Sequence, residues 1–231
     1  MIDAQAFAAQ IARDGFAIVD PVFEPREIDD LAARLVREPL SRSRAGARHA
    51  MRSPVVRALA RDARLISRAR AVLGPEAVPY RATLFDKSPV SNWLVVWHQD
   101  TALPLRERRD ISGWGPWSVK AGITYAHAPT AALNRVLALR IHVDDSTAAN
   151  GPLRVIPGSH DRGVLTDAAV QELARHTEPV DCLAGRGAVL AMRPLIVHAS
   201  SKSRSEAPRR VLHIEYGASM AAGDGLELAI A

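Results

Sequence analysis

The sequence predicts a mainly β fold with an added α layer (α+β): a double-stranded β-helix, or jelly roll, backed by an N-terminal helical layer. Three observations lead there. The first 75 residues carry apolar side chains at helical spacing. From Ala77 the texture changes to short β-type runs broken by Gly, Pro, Asn and Asp. No internal repeat or low-complexity linker divides the chain. Many short strands with turn signals indicate a sandwich or barrel, and segregated helices can cover one of its sheets. With 231 residues the chain suits one domain spanning 1–231, with a helical layer over 1–75 and a β core over 77–219.

The elements follow in order. Ala4 to Arg13 is an Ala-rich helix stopped by Gly15, and Phe16–Val19 is a short strand. A second helix starts at Pro25 and runs to about Glu38, with Ile28, Leu31 and Leu35 on one side. Ser41 to Arg52 reads as a polar, basic, mobile connection. A third helix, capped by Ser53 with Pro54 in its first turn, ends at Gly74-Pro75. Strands are expected near 78–85, 93–98, 119–125, 136–143, 153–156, 179–183, 187–192, 195–199 and 210–216. One helix, Thr166 to Arg175, interrupts them.

Composition narrows the function. Hydrophobic residues at 48% and charged residues at 24% fit a globular protein, and no apolar run approaches the roughly 18 residues that cross a bilayer. Met1-Ile2-Asp3 lacks the basic-then-apolar pattern of a secretory leader, so a cytoplasmic location without a membrane partner is expected. Cys182 stands alone, which excludes an internal disulfide and a thiolate cage and leaves imidazole and carboxylate to hold any metal. The formal charge is +5, yet nine arginines and one acid, Asp62, lie between Arg42 and Arg70. Arg57, Arg61, Arg64 and Arg68 recur at helical spacing. Without a nucleic-acid-binding motif, a solvated helix face is the expected reading and nucleic acid is not an expected partner.

Trp97-His98-Gln99-Asp100 puts a His and an Asp two positions apart at the end of an apolar strand, where side chains at i and i+2 share a face. A second imidazole from a distant strand completes a 2-His-1-carboxylate set with open metal positions. His142-Val143-Asp144 offers the same spacing. In a double-stranded β-helix four strands separate the first ligand pair from the distal His. Counting back from His198 in Leu195–Ser200, with 119–125 left over as an insert, gives four from Asp100 but only three from Asp144, which favours His98 and Asp100. Arg209, eleven residues after His198, opens a strand on which Arg209, Val211, His213 and Glu215 share one face. A buried Arg there suits a dicarboxylate cosubstrate, and Arg210 competes in the flipped register. His160, in a Pro-Gly-Ser-His corner, reads as a structural hydrogen-bonding residue.

With these residues in view, the chain resembles the phytanoyl-CoA dioxygenase family, a branch of the Fe(II)- and 2-oxoglutarate-dependent oxygenases. The matching segments are Asp14-Gly15-Phe16-Ala17-Ile18-Val19, Trp97–Asp100, Asn150-Gly151-Pro152-Leu153 through Pro157-Gly158-Ser159-His160, and His198 with Arg209. The resemblance implies that His98, Asp100 and His198 hold Fe(II), and that no catalytic side chain acts beyond that metal centre. It implies that Arg209 anchors the far carboxylate of 2-oxoglutarate and that Lys87, in Leu84–Pro89, also contacts it. It implies hydroxylation of a small organic substrate by O2, with release of succinate and CO2, by a monomer or homodimer. Halogenating relatives replace the Asp100 carboxylate by a small residue, so its retention points to hydroxylation, or a related desaturation, over halogenation.

All four tryptophans fall between Trp93 and Trp117. Trp114 and Trp117, in a Gly/Pro-rich loop, are expected to line the substrate entrance with Tyr125 or His127. Two other readings keep the same residues. A cupin-type metal-binding jelly roll would dispense with 2-oxoglutarate and tolerate loss of Arg209, and a non-catalytic binding protein would use the basic 42–70 segment.

Overall fold

The computed structural model describes residues 3–40, 42–43, 46–88 and 91–231. Helix α1 (Ala4–Asp14) leads into β1 (Phe16–Val19), and α2 (Pro25–Arg37) follows, opened by a reciprocal capping box between Glu24 and Glu27. Two short strands, β2 (Arg42–Ser43) and β3 (Gly46–Ala47), and a 3-10 turn (Ala50–Arg52) occupy the stretch expected to be an irregular connection. Its residues Ser41, Arg44 and Ala45 lie outside the described residues, as does Pro89 of the Leu84–Pro89 segment.

The expected third helix is two: α3 (Pro54–Ala60) and α4 (Ala63–Leu73). Asp62 causes the break, because its carboxylate accepts from the backbone N–H of Arg64 and so starts a new helix. The single arginine stripe is broken with it. Arg57 donates to the carbonyls of Met51 and Arg52, and Arg64 pairs with Asp62 and Glu27 and covers the Phe23 ring.

The β core comprises β4 (Val78–Lys87), β5 (Val95–His98), β6 (Ala102–Leu105), β7 (Trp117–Lys120), β8 (Ile123–His127), β9 (Val136–His142), β10 (Leu153–Val155), β11 (Val180–Cys182), β12 (Val189–Met192), β13 (His198–Ser200) and β14 (Arg209–Gly217). A short helix, α5 (Thr130–Leu133), precedes β9, and α6 (Asp167–His176) lies between β10 and β11. The hairpin β15 (Ala221–Gly223) and β16 (Leu226–Glu227) ends the chain. One seven-stranded sheet runs β1-β12-β9-β14-β4-β3-β2, and a four-stranded sheet runs β11-β10-β13-β5. This is the jelly roll, mainly β with a helical backing.

Two features depart from the expected strands. The run 119–125 is a hairpin, β7 and β8, turning at Ala121 and Gly122 with positive φ at both. Thr101–Gly115, expected as a loop, contributes β6, which pairs with β8 to form a third sheet, β6-β8-β7.

Alternation in the large sheet fixes what lies inside. On its outer face Leu84, Leu139, Ile141, Leu212, Ile214 and Tyr216 join the apolar residues of α1 to α4 in one buried cluster. The inner face carries Arg81, Lys87, Arg140, His142, Arg209, His213 and Glu215, nearly all buried. A polar interior of this kind is costly unless each charge finds a partner or a ligand. Beside it, Leu153, Val155, Cys182, Leu190, Met192 and Ile196 close the space between the two sheets.

The corner at Gly15 ties the fold together. Gly15 caps α1 at φ 80°, and its carbonyl accepts from the N–H of Arg193. Gly158 donates to the Asp14 carbonyl, and His160 is buried with Nε2 3.2 Å from the Ala12 carbonyl. A Cβ at Gly15 would stand 2.5 Å from His160 Nδ1. Gly15→Ala is therefore expected to cost roughly 2 kcal/mol, read as a lower urea midpoint with an unchanged slope.

His142 is buried on β9, and burial, followed by Arg140, pushes its imidazole down to about 3. The unfolded chain then takes up a proton near pH 6.5 that the folded chain refuses, so stability from this residue is present above that pH and falls on acidification. His142→Asn should flatten the urea-stability profile between pH 6.5 and 5 by about 1.4 kcal/mol per pH unit. An unchanged slope would show that His142 is not held neutral.

Candidate metal centre

The pairing of β13 with β5 builds the site. His198 and His98 are register partners on adjacent antiparallel strands, and their ring centroids lie 4.2 Å apart. Asp100 follows β5, its N–H bonded to the Pro194 carbonyl. Between them Gln99 points away and locks the backbone: its Nε2 donates to the carbonyls of Gly163 and Leu195, and its Oε1 accepts from Leu165. One ligand atom from each of His98, Asp100 and His198 lies within 4.8 Å of the others.

The imidazoles are pre-set for a metal. Nδ1 of His98 lies 2.8 Å from the Val96 carbonyl, and Nδ1 of His198 lies 2.8 Å from the Ile196 carbonyl. Each Nδ1 must donate there, which leaves each Nε2 with a free lone pair. Those Nε2 atoms stand 3.8 and 3.7 Å from the Asp100 oxygens, too far for hydrogen bonds and suited to an ion between them. Burial works to raise the Asp100 carboxyl, but the neighbouring His198, His98, His213 and Arg81 hold it down to about 2. Burial lowers the His198 imidazole to about 4 against the pull of Asp100. The donor set is two imidazoles and one carboxylate, which fits a non-haem Fe(II) centre with open positions.

A cationic cradle lies on the inner face nearby. Lys87 on β4 and Arg209 on β14 are register partners, 1% and 4% exposed. Both donate to Ser200 Oγ, at 2.9 and 3.3 Å, and Ser200 in turn donates to the Gly151 carbonyl. Arg209 Nε donates to the Asn150 carbonyl. The Asn-Gly-Pro-Leu segment thus serves as the floor of the cradle. Gly151 is required there, because at φ 67° a Cβ would meet the Ser201 carbonyl oxygen at 2.2 Å. Burial, then Arg209 and Arg140, lowers the Lys87 ammonium to about 8. Burial, then Arg140, lowers Arg209 to about 10. No ion pair among the described residues joins either cation to a carboxylate. The cradle fits the carboxylate of a 2-oxoglutarate.

The competing residues sit elsewhere. Arg210 points to the other face, where its backbone N–H, Nε and Nη2 all bond Asp144 at 2.7–2.8 Å. Asp144 is thereby occupied as a structural acceptor, and His142 lies on β9 outside the group of three side chains that could hold a metal.

A cavity of about 370 Å³ opens over the metal ligands, lined by Thr83, Phe85, Thr101, Tyr125 and His127 among others. Thr101 Oγ1 lies 2.7 Å from His127 Nδ1. The structure does not bring Trp114 and Trp117 to this cavity. Trp114 is buried in an apolar cluster with Leu103, Leu133 and Leu226, and its Nε1 donates to Asp224. Trp117 packs against the same cluster, and both line a separate open depression. The Gly/Pro-rich loop is expected to bring both rings to the substrate entrance, but the apolar cluster takes up the Trp114 ring and Asp224, far along the chain, accepts from its N–H.

The sequence reading missed several residues of the inner face and cavity. Arg81 donates to Glu215 at 2.7 Å and to the Ala102 carbonyl, and Arg140 lies with Nη1 3.0 Å from His213 Nδ1. His49 lies with Nε2 2.9 Å from the Tyr125 hydroxyl. Alternation on β4 and β9 could have placed Arg81 and Arg140 inward, whereas nothing local marks His49.

Comparison with known proteins agrees with this geometry. The family model for phytanoyl-CoA dioxygenase matches residues 11–211. The ectoine dioxygenase of Sphingopyxis alaskensis is 25% identical over 249 residues, covering 91% of this chain and 74% of that protein. The L-proline trans-4-hydroxylase of Streptomyces griseoviridis is 26% identical over 233 residues, covering 89% and 70%. Among solved structures, EctD from S. alaskensis with 2-oxoglutarate and 5-hydroxyectoine superposes with a TM-score of 0.70 at 24% identity, covering 95% of this chain and 78% of that one, a likeness of fold. The match over most of the chain, with the jelly roll and its His-Asp-His group, places this protein in the phytanoyl-CoA dioxygenase family, whose members are Fe(II)- and 2-oxoglutarate-dependent oxygenases.

Proposed function

We propose that His98, Asp100 and His198 hold the Fe(II), that Arg209 with Lys87 holds the far carboxylate of 2-oxoglutarate, and that the enzyme hydroxylates a small organic molecule. The observation that carries this reading is the commitment of both Nδ1 atoms to backbone carbonyls, which turns two Nε2 lone pairs and one carboxylate toward a common point. Bound together, iron and 2-oxoglutarate supply the oxidation of a C–H bond by O2, with succinate and CO2 released.

The chain's own residues do the rest. Lys87 and Arg209 neutralise a dianion at one end of the site, where burial strengthens charge-assisted hydrogen bonds. Tyr125 and His127 line the cavity over the ligands and shape where the substrate's C–H is presented. The relatives' named substrates, ectoine and L-proline, are small molecules, and a cavity of about 370 Å³ suits a substrate of that kind.

The cupin-type reading leaves Lys87 and Arg209 buried with no carboxylate to oppose them, which favours the 2-oxoglutarate reading. A polyanion-binding role for the 42–70 segment loses Arg57, Arg64 and Arg68, whose guanidinium groups are committed to carbonyls and acids. We further propose one functional domain over residues 1–231, acting in the cytoplasm as a monomer or homodimer without nucleic acid. No helix among the described residues is long and apolar enough to cross a membrane.

Anaerobic titration with Fe(II) and 2-oxoglutarate tests the reading. The visible charge-transfer band of the chelate should form in the native protein and be lost in His98→Ala. In Arg209→Gln it should need at least tenfold more 2-oxoglutarate, the loss of a buried charge-assisted pair. No band in the native protein, or an unchanged titration in Arg209→Gln, would contradict it.

A further inference from the structure

Two cavities meet at one wall of the site. The one over the metal ligands shares Arg48, His49 and Lys120 with an adjoining cavity of about 420 Å³, which Arg52, Leu40 and Ala121 also line. The two form a trough leading outward from Asp100 to Arg52.

Its charges do not balance. Among the described lining residues the cations are Arg48, Arg52, Arg81 and Lys120, and the acid is Asp100. Arg81 is neutralised by Glu215, and Asp100 belongs to the metal group. Arg52 donates to the Ala121 carbonyl, at 3.4 Å, and no ion pair among the described residues joins Arg48, Arg52 or Lys120 to a carboxylate. The remaining cations feel each other. Burial, then Arg48 and Arg81, lowers the Lys120 ammonium, and burial, then Arg52, Arg48 and Arg81, lowers the His49 imidazole. Such uncompensated like charge around a cavity favours an anion.

The wall is also built rather than incidental. Gly46 and Ala47 pair with Phe85 and Leu84 of β4, which seats this segment against the large sheet. His49 then takes the left-handed conformation, φ 56°, that a non-glycine residue adopts at a cost. It is buried, stacked on Tyr125 and hydrogen-bonded to its hydroxyl, while Lys120 Nζ stands 5.1 Å from the Tyr125 ring. Arg48, next to His49, is left at the cavity surface. Part of the arginine-rich segment therefore faces the site.

We propose that Arg48 and Lys120, with Arg52 at the outer end, bind an anionic group of the substrate, a carboxylate or a phosphate, so that the enzyme acts on small organic anions. This rests on the proposed iron and 2-oxoglutarate chemistry and adds a second anion site distinct from the Lys87–Arg209 cradle.

The test uses protein loaded anaerobically with Fe(II) and 2-oxoglutarate, so that the cradle is filled. Three matched pairs serve as probes: L-pyroglutamate and its amide, benzoate and benzamide, and phenyl phosphate and phenol. Binding is read by the shift in Tm and by the change in the charge-transfer band. At least one anion should bind tenfold or more tighter than its neutral partner, and the better of the carboxylates or the phosphate identifies the group recognised. Arg48→Gln/Lys120→Gln, at two exposed positions, should abolish that preference while leaving the 2-oxoglutarate titration unchanged. Equal binding of neutral partners, no binding by any anion, or a preference that survives the double substitution overturns the proposal. If the band never forms, the iron reading fails instead, and the Tm shifts still decide the anion site.

Discussion

The inner face of the large sheet carries charge, and the architecture depends on keeping that charge satisfied. Strand β14 shows the constraint plainly. Leu212, Ile214 and Tyr216 pack outward beneath the helices, while Arg209, His213 and Glu215 point inward. A slip of one residue would turn Leu212, Ile214 and Tyr216 into the polar interior and press Arg209, His213 and Glu215 against the helices, and the bonds from Arg210 to Asp144 hold the register against it. Inside, Glu215 is met by Arg81 from the neighbouring strand, and Arg140 meets His213. Lys87 and Arg209 are arranged around a hydroxyl and carbonyls, and no ion pair among the described residues gives either a carboxylate.

Seen this way, the site divides into three parts with different electrostatic tasks. The metal group offers imidazoles whose orientation is set by backbone carbonyls, so it depends on the β5–β13 register more than on any side-chain network. The cradle offers buried positive charge. The outer trough offers exposed positive charge on a wall made by Pro39, Leu40, Arg48, His49 and Arg52 with Lys120 and Ala121 of the β7–β8 hairpin. Burial separates the last two: charge is strong and specific in the cradle, and steering and selection belong to the trough.

Much of this was legible in the sequence wherever a strand's own alternation carries the information. Trp97–Asp100 puts its two metal-binding groups on one face by strand periodicity, and Arg209 faces inward by the same rule. Counting strands back from His198 separated His98 and Asp100 from His142 and Asp144. Long-range partners were not legible. Nothing local reveals that Glu215 answers Arg81, that Asp224 accepts from Trp114, or that β6 pairs with β8. The break at Asp62 was visible in principle, since Asp is a good helix cap, but the apolar periodicity on either side masked it. The arginine-rich segment misled for a related reason. Its helical part is split at Asp62 rather than forming one solvated stripe, with Arg57, Arg64 and Arg68 bonded to carbonyls and acids, whereas Arg48 and Arg52 reach the cavity through the pairing of β3 with β4.

In the proposed site one sheet face presents the cosubstrate cradle while the strand pair β5–β13 presents the metal group. A crystal structure of the protein grown anaerobically with Fe(II) and 2-oxoglutarate, with the iron located by anomalous scattering, tests it most directly. The account predicts iron bound by Nε2 of His98, Nε2 of His198 and the Asp100 carboxylate, with the far carboxylate of 2-oxoglutarate on Arg209 and Lys87. Iron bound elsewhere, or that carboxylate resting on Arg210 or in the Arg48–Lys120 trough, would contradict it.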